Sequence, residues 1–217
     1  MTRTQPHGFL ATPPSGNGRG VLVLHPWWGL NDTIRAFCTQ LAEAGFIAFA
    51  PDLFHGKVAT TIEEAEKLSS AFDGEGVRTD AATAAAFLSE RAQGGSAIAV
   101  IGFSFGAYYA LDLSNTDPEH IRAVVVFYGS GASDFSASKA AYLGHFAEVD
   151  EFEPEIYVNS LEESIRAAGR PVTFYRYPGC GHWFFEADRT DAYNPAAATL
   201  AWERTLTFLE NSLPFDS

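Results

Sequence analysis

Ala97-Ile98-Ala99-Val100-Ile101-Gly102-Phe103-Ser104-Phe105-Gly106-Ala107 passes from a continuous apolar run into a helical pattern through two glycines that bracket a serine. Residues 97–101 suit a strand buried on both faces of a parallel sheet, and Ala107 to Leu113 suit a buried helix. A serine hydroxyl becomes a useful nucleophile only when it is exposed, held in a tight turn and offered a base. Gly102 and Gly106 permit the crowded backbone of such a turn. Gly-x-Ser-x-Gly alone recurs by chance, but its place between a strand and a helix makes Ser104 a candidate nucleophile.

The same alternation extends in both directions. Upstream, Val21-Leu22-Val23-Leu24 reads as a buried strand. Ile34, Phe37, Cys38 and Leu41 fall at i, i+3, i+4 and i+7, with Gly45 where a helix would be capped, and Phe46 to Ala50 read as the next strand before Pro51-Asp52. Thr61 to Gln93 reads as two helices broken near Asp73-Gly74-Glu75-Gly76. Downstream, strands are expected at Ala123 to Phe127, around Ala141 to Leu143, and at Val172 to Tyr175. Helices are expected from Pro154 to Ala168 and from Pro195 to Leu209, each opening on a proline that the first turn tolerates. Strands alternating with helices predict an α/β fold: a mostly parallel central sheet with helices on both faces. No repeat or long linker divides the chain, so residues 1–217 are expected to form a single domain.

Composition narrows the partners. The 217 residues are 47% hydrophobic, and 14 basic against 27 acidic side chains leave a net charge of −13. Nucleic acid and anionic membranes are recognised through clustered Lys and Arg, so neither is an expected partner. The N-terminal Met1 to His7 has no apolar signal core, and no later stretch approaches membrane-spanning length, which makes cytoplasmic the expected location. Cys38 and Cys180 are too few to staple the chain, and Cys38 belongs to a helical apolar stripe. The six histidines show no i, i+4 pair, so a metal site is not expected.

A base should follow Ser104 late in the chain. Gly179-Cys180-Gly181-His182 offers an imidazole on a glycine-rich loop, although packing beside Trp183 and Phe184 would be an ordinary role for such a histidine. Between serine and histidine an acid is needed to orient the imidazole. Asp150 follows a strand whose end should share the sheet edge of Ser104, while Asp134, also after a strand, sits among small polar loop residues. Two backbone N–H groups must face the developing oxyanion. Phe105 follows the nucleophile, and in His25-Pro26-Trp27-Trp28-Gly29 the proline has no N–H, leaving Trp27. Trp28, Phe103, Tyr128 and Trp183 fall beside these loops and are expected to wall a substrate pocket. Cys180 as the nucleophile is disfavoured, because it lies two residues from its would-be base.

In these residues the chain resembles the dienelactone hydrolase family of α/β-hydrolases. The matching pieces are Trp27 to Asp32, Ala42 to Phe46, Ala50 to Phe54, Ala71-Phe72-Asp73, Gly102 to Gly106, Tyr128-Gly129, His145 to Pro154 and Gly179 to Phe184, in family order from about residue 8 to 211. The resemblance implies an α/β-hydrolase fold without a large cap domain, with Ser104, Asp150 and His182 as nucleophile, acid and base. It further implies hydrolysis of a small-molecule ester or lactone through an acyl-enzyme, without metal or cofactor. Three positions depart from the family pattern. Ser104 replaces the usual cysteine, Pro26 stands at a loop carboxylate, and Glu186 stands where an arginine would bind a substrate carboxylate. These departures argue against a dienelactone substrate and leave the reaction class intact. A thioesterase or perhydrolase would use the same triad. A non-catalytic binding protein of this fold would be marked by His182 standing out of reach of Ser104 and Asp150.

Overall fold

A computed structural model describes residues 3–93, 95–131 and 134–213. Seven strands form one sheet: β1 (Gly8–Ala11), β2 (Arg19–Leu24), β3 (Phe46–Pro51), β4 (Ile98–Phe103), β5 (Ile121–Phe127), β6 (Ala141–Ala147) and β7 (Val172–Tyr177). Among the described residues six helices accompany them: α1 (Asp32–Glu43), α2 (Ile62–Ser70), α3 (Gly74–Ser89), α4 (Phe105–Thr116), α5 (Glu155–Ala167) and α6 (Pro195–Ser212). The sheet order is β1-β3-β2-β4-β5-β6-β7, with only β1 antiparallel to its neighbour. The α/β architecture expected from the alternating pattern is the one observed.

Strand alternation divides the core into two layers. Val21, Val23, Ala99, Ile101, Val125 and Phe127 face α1 and α6, where they meet Ile34, Phe37, Cys38, Leu41, Ala201 and Leu209. Leu22, Leu24, Val100, Val124 and Val126 face α3, α4 and α5. Successive side chains on a strand point to opposite faces, so one apolar run supplies both layers and must be apolar throughout.

The chain leaves β2 for β3 on one side and returns to form β4 on the other. At such a reversal the loops after two neighbouring strands diverge and leave a crevice at their carboxyl ends. Leu24 pairs with Gly102, and Phe103 with Phe127, so β2, β4 and β5 end at nearly the same level. The loops after β2, β4, β5, β6 and β7 thus all leave from one edge of the sheet.

Several boundaries differ from the sequence reading. α3 begins at Gly74 with Asp73 as its cap, accepting from Glu75 N–H, so the helix break lies at 71–73 and the glycines enter the first turn. α4 starts at Phe105, two residues earlier than its apolar pattern. β1 was not foreseen: its four residues are only half-buried and it pairs along the edge of β3 alone. Among the described residues no helix is long and apolar enough to cross a membrane.

Candidate active site

Ser104 stands between β4 and α4 with φ 47° and ψ −110°, a backbone conformation that non-glycine residues adopt at a cost of about 1–3 kcal/mol. Close packing enforces the turn. A Cβ on Gly102 would lie 2.4 Å from the Gly106 carbonyl oxygen, and one on Gly106 would lie 2.2 Å from that of Leu24. Both positions therefore exclude a side chain, and the elbow sits directly against the end of β2. The Ser104 N–H donates to the Phe127 carbonyl at 2.9 Å, which fastens the elbow to β5.

His182 arrives from the loop after β7. Gly179 takes φ 69° and donates its N–H to the Glu148 carboxylate at 2.8 Å, and Val149 N–H donates to the Cys180 carbonyl at 3.2 Å. These bonds hold the β6 and β7 loops together and bring Asp150 beside His182. The Ser104 hydroxyl lies 3.0 Å from His182 Nε2, and His182 Nδ1 lies 2.7 Å from Asp150 Oδ2. The other Asp150 oxygen accepts the N–H groups of Phe152 and Glu153, each at 2.9 Å, so the carboxylate cannot rotate freely. The His182 and Asp150 side chains are 5% and 4% exposed, which shields their pairing from water. An imidazole with Nδ1–H on the carboxylate leaves Nε2 as an acceptor for the serine proton.

The alternatives fall elsewhere. Asp134 is exposed and accepts from the Ser136 N–H at 2.9 Å. Cys180 is buried, and burial pushes its thiol pKa upward, disfavouring the thiolate a nucleophile needs. Cys38, in the core, is pushed up to about 12 by burial.

The backbone N–H groups of Trp27 and Phe105 have no acceptor among the described residues. The loop carrying Trp27 is held by a histidine whose role the sequence did not reveal. His25 is fully buried; one ring nitrogen lies 2.8 Å from the Pro26 carbonyl and the other 3.2 Å from the Leu53 N–H. An imidazole that donates to the carbonyl and accepts from the N–H must be neutral, and burial lowers its pKa to about 4.

The four expected pocket residues separate. Tyr128 and Trp183 pack against the His182 ring, with centroids 4.9 and 5.0 Å away. Trp28 is fully buried behind Trp27 and Trp183, and the Arg189 guanidinium lies 3.9 Å over its ring. Phe103 points to the α1 and α6 face, packed on Phe37 and Phe127, and lines a cavity of about 440 Å³ that none of Ser104, Asp150 and His182 lines. Alternation along β4 puts Phe103 in line with Ala99 and Ile101, away from the elbow it precedes. Phe152, not foreseen, is 42% exposed and reaches His182, Trp27 and Trp183 with centroids 5.2, 5.8 and 4.9 Å away. Its only sequence signal was its place two residues after Asp150.

Two further carboxyls lie close by. Glu153 accepts the Ser130 N–H at 2.9 Å, and burial raises its pKa. Glu186 is fully buried and accepts the Tyr128 hydroxyl at 2.7 Å. Burial pushes its pKa up to about 8.

Comparison with known proteins agrees with this fold. The model of the dienelactone hydrolase family matches residues 7–213. The usf protein of Aquifex pyrophilus is 34% identical over 95% of this chain and 93% of its own length. A putative carboxymethylenebutenolidase of Aquifex aeolicus is 32% identical over the same shares of the two chains. Among solved structures, a putative dienelactone hydrolase from Klebsiella pneumoniae superposes with a TM-score of 0.79 at 22% identity, covering 91% of this chain and 90% of that one. A dienelactone hydrolase-like promiscuous phosphotriesterase from metagenomic libraries superposes at 0.81 with 20% identity, covering 91% and 88%.

Proposed function

Since the chain belongs to the dienelactone hydrolase family and is a carboxylic ester hydrolase, we propose that it cleaves a small ester or lactone through an acyl-enzyme formed on Ser104. The observation that carries this reading is the continuous path from Ser104 Oγ to His182 Nε2 at 3.0 Å and from His182 Nδ1 to Asp150 at 2.7 Å. Both spans are within hydrogen-bond reach, where a binding protein that had lost catalysis would have no reason to keep them.

In this mechanism Ser104 Oγ attacks the carbonyl carbon while His182 Nε2 takes the hydroxyl proton. Asp150 holds the ring in the correct tautomer and stabilises the imidazolium, and both of its oxygens are already fixed in place. Negative charge gathers on the former carbonyl oxygen, where the N–H groups of Trp27 and Phe105 receive it. The tetrahedral intermediate then collapses, the C–O bond to the alcohol breaks, and His182 returns its proton to the departing oxygen. Water repeats the sequence in reverse roles and releases the acid. A hydroxyl is less acidic than a thiol, so Ser104 depends more on His182 than a cysteine would.

Phe152 and Trp183 pack on His182 and Trp27 packs on both of them, and an apolar acyl or alcohol group fits these rings best. Glu186 occupies the position where the family pattern has a substrate-binding arginine, which disfavours a carboxylate-bearing substrate. Ser104→Ala tests the assignment. Hydrolysis of short activated esters should fall by at least about 10³-fold in kcat, with the circular dichroism spectrum unchanged. A folded variant that keeps more than a tenth of the activity would overturn it.

A further inference from the structure

The cavity of about 440 Å³ that Phe103 lines lies between α1, the first half of α6 and the chain that follows His182. Its walls carry five aromatic rings, Phe37, Phe103, Phe185, Tyr193 and Trp202, and one carboxyl, Asp32. Among the described residues no lysine or arginine lines it. That combination is unlike the rest of the α1 and α6 layer, which is filled by aliphatic side chains such as Val23, Ile34 and Leu41.

The rings hold one another in place. Phe37 meets Phe103, Phe185 and Trp202 edge to face, with centroids 5.2, 5.6 and 5.5 Å away. Phe37 and Phe103 are buried, while Phe185 and Trp202 are half-buried and Tyr193 is 36% exposed, so part of the aromatic surface stays open. Walls fixed before a ligand arrives spare it the entropy of ordering them. Asp32 is exposed in the first turn of α1, and its carboxylate accepts no hydrogen bond and pairs with no cation among the described residues. Arg35, one turn along, lies instead over the Phe9 ring at 5.5 Å. An exposed carboxylate attracts a cation only weakly through water. Beside open rings it adds to a second attraction, because an aromatic face carries the negative end of the ring quadrupole.

We propose that this cavity binds a small organic cation, a quaternary ammonium or protonated amine with an apolar body, its charge held by the aromatic walls and Asp32. The rings desolvate the body and attract the charge, and the carboxylate selects its sign. A net charge of −13 draws cations towards the whole surface and repels carboxylates and phosphates. A volume of about 440 Å³ holds a ligand of this size. None of Ser104, Asp150 and His182 lines the cavity, and the proposal does not rest on the ester chemistry assigned to them.

Calorimetry at fixed ionic strength with choline and with 3,3-dimethylbutan-1-ol tests this, because the two have nearly the same shape and differ in one positive charge. Choline should bind one-to-one with a Kd on the order of 1 mM, at least about tenfold tighter than the alcohol. Trp202→Leu keeps an apolar wall but removes a ring, and should weaken choline about fivefold, while Trp202→Phe should recover most of the loss. Asp32→Asn changes an exposed side chain, so the fold tolerates it; choline affinity should fall severalfold with ester hydrolysis unchanged. Equal binding of choline and the alcohol would show a merely apolar cavity and overturn the proposal. So would the absence of saturation by about 50 mM choline, or full choline affinity in both Trp202→Leu and Asp32→Asn.

Discussion

Replacing Glu186 with Gln should make the protein more stable, and increasingly so as pH rises. The carboxyl is fully buried, with one oxygen accepting the Tyr128 hydroxyl and the other without a partner among the described residues. Burial, reinforced by Asp188 and opposed by the Tyr128 bond and Arg189, raises its pKa from 4.5 to about 8. The unfolded chain ionises this group near 4.5, while the folded chain keeps the proton until about 8. Between those values the folded state holds the extra proton, so stability is fully present below 4.5 and is lost as pH rises towards 8. The slope approaches about 1.4 kcal/mol per pH unit, and the whole window spans about 5 kcal/mol. A glutamine cannot ionise, and its amide oxygen still accepts from Tyr128. Urea denaturation of both proteins at pH 5, 6, 7 and 8 reads the effect as a difference that widens with pH. An amide that packs poorly would shift every point by about 1–3 kcal/mol and leave that slope intact. A difference that stays constant with pH, or narrows, would refute the reasoning.

Other expectations follow from the same geometry. Asp150→Asn preserves the shape of the site but not the carboxylate that fixes the His182 tautomer; kcat for a short ester should fall about 10⁴-fold with an unchanged fold, measured by steady-state kinetics beside circular dichroism. His25 is buried neutral with a pKa near 4, so its contribution to stability is present above 6.5 and lost as pH falls through 4. The urea midpoint should drop over that window, and His25→Gln should flatten the drop.

The elbow was legible because local physics governs it, and the structure brings Ser104, His182 and Asp150 within hydrogen-bond reach of one another. A Cβ on Gly102 or Gly106 would lie under 2.5 Å from a backbone carbonyl oxygen, and a requirement that strict leaves its mark in the sequence. The expected helices and strands were recovered for a similar reason: continuous apolar runs feed both core layers, and the α1 stripe of Ile34, Phe37, Cys38 and Leu41 is all buried. β1 escaped because a short, half-buried edge strand has neither alternation nor a hydrophobic run. Phe103 was misplaced by proximity in sequence to Ser104, although the two-residue period of β4 already assigned it to the other face. Glu186 stood out as a departure from a family pattern, but its partner Tyr128 is 58 residues away, and no local pattern reports a contact that closes only when β5 and the His182 loop meet.

Covalent labelling with a fluorophosphonate, followed by peptide mass spectrometry at neutral pH, addresses the nucleophile directly. A single adduct on the Ser104 hydroxyl is expected, formed at a rate that collapses in His182→Ala while the protein stays folded. Labelling of folded protein that fails altogether, or that lands on another residue, would contradict the assignment of Ser104 as the group that attacks the ester.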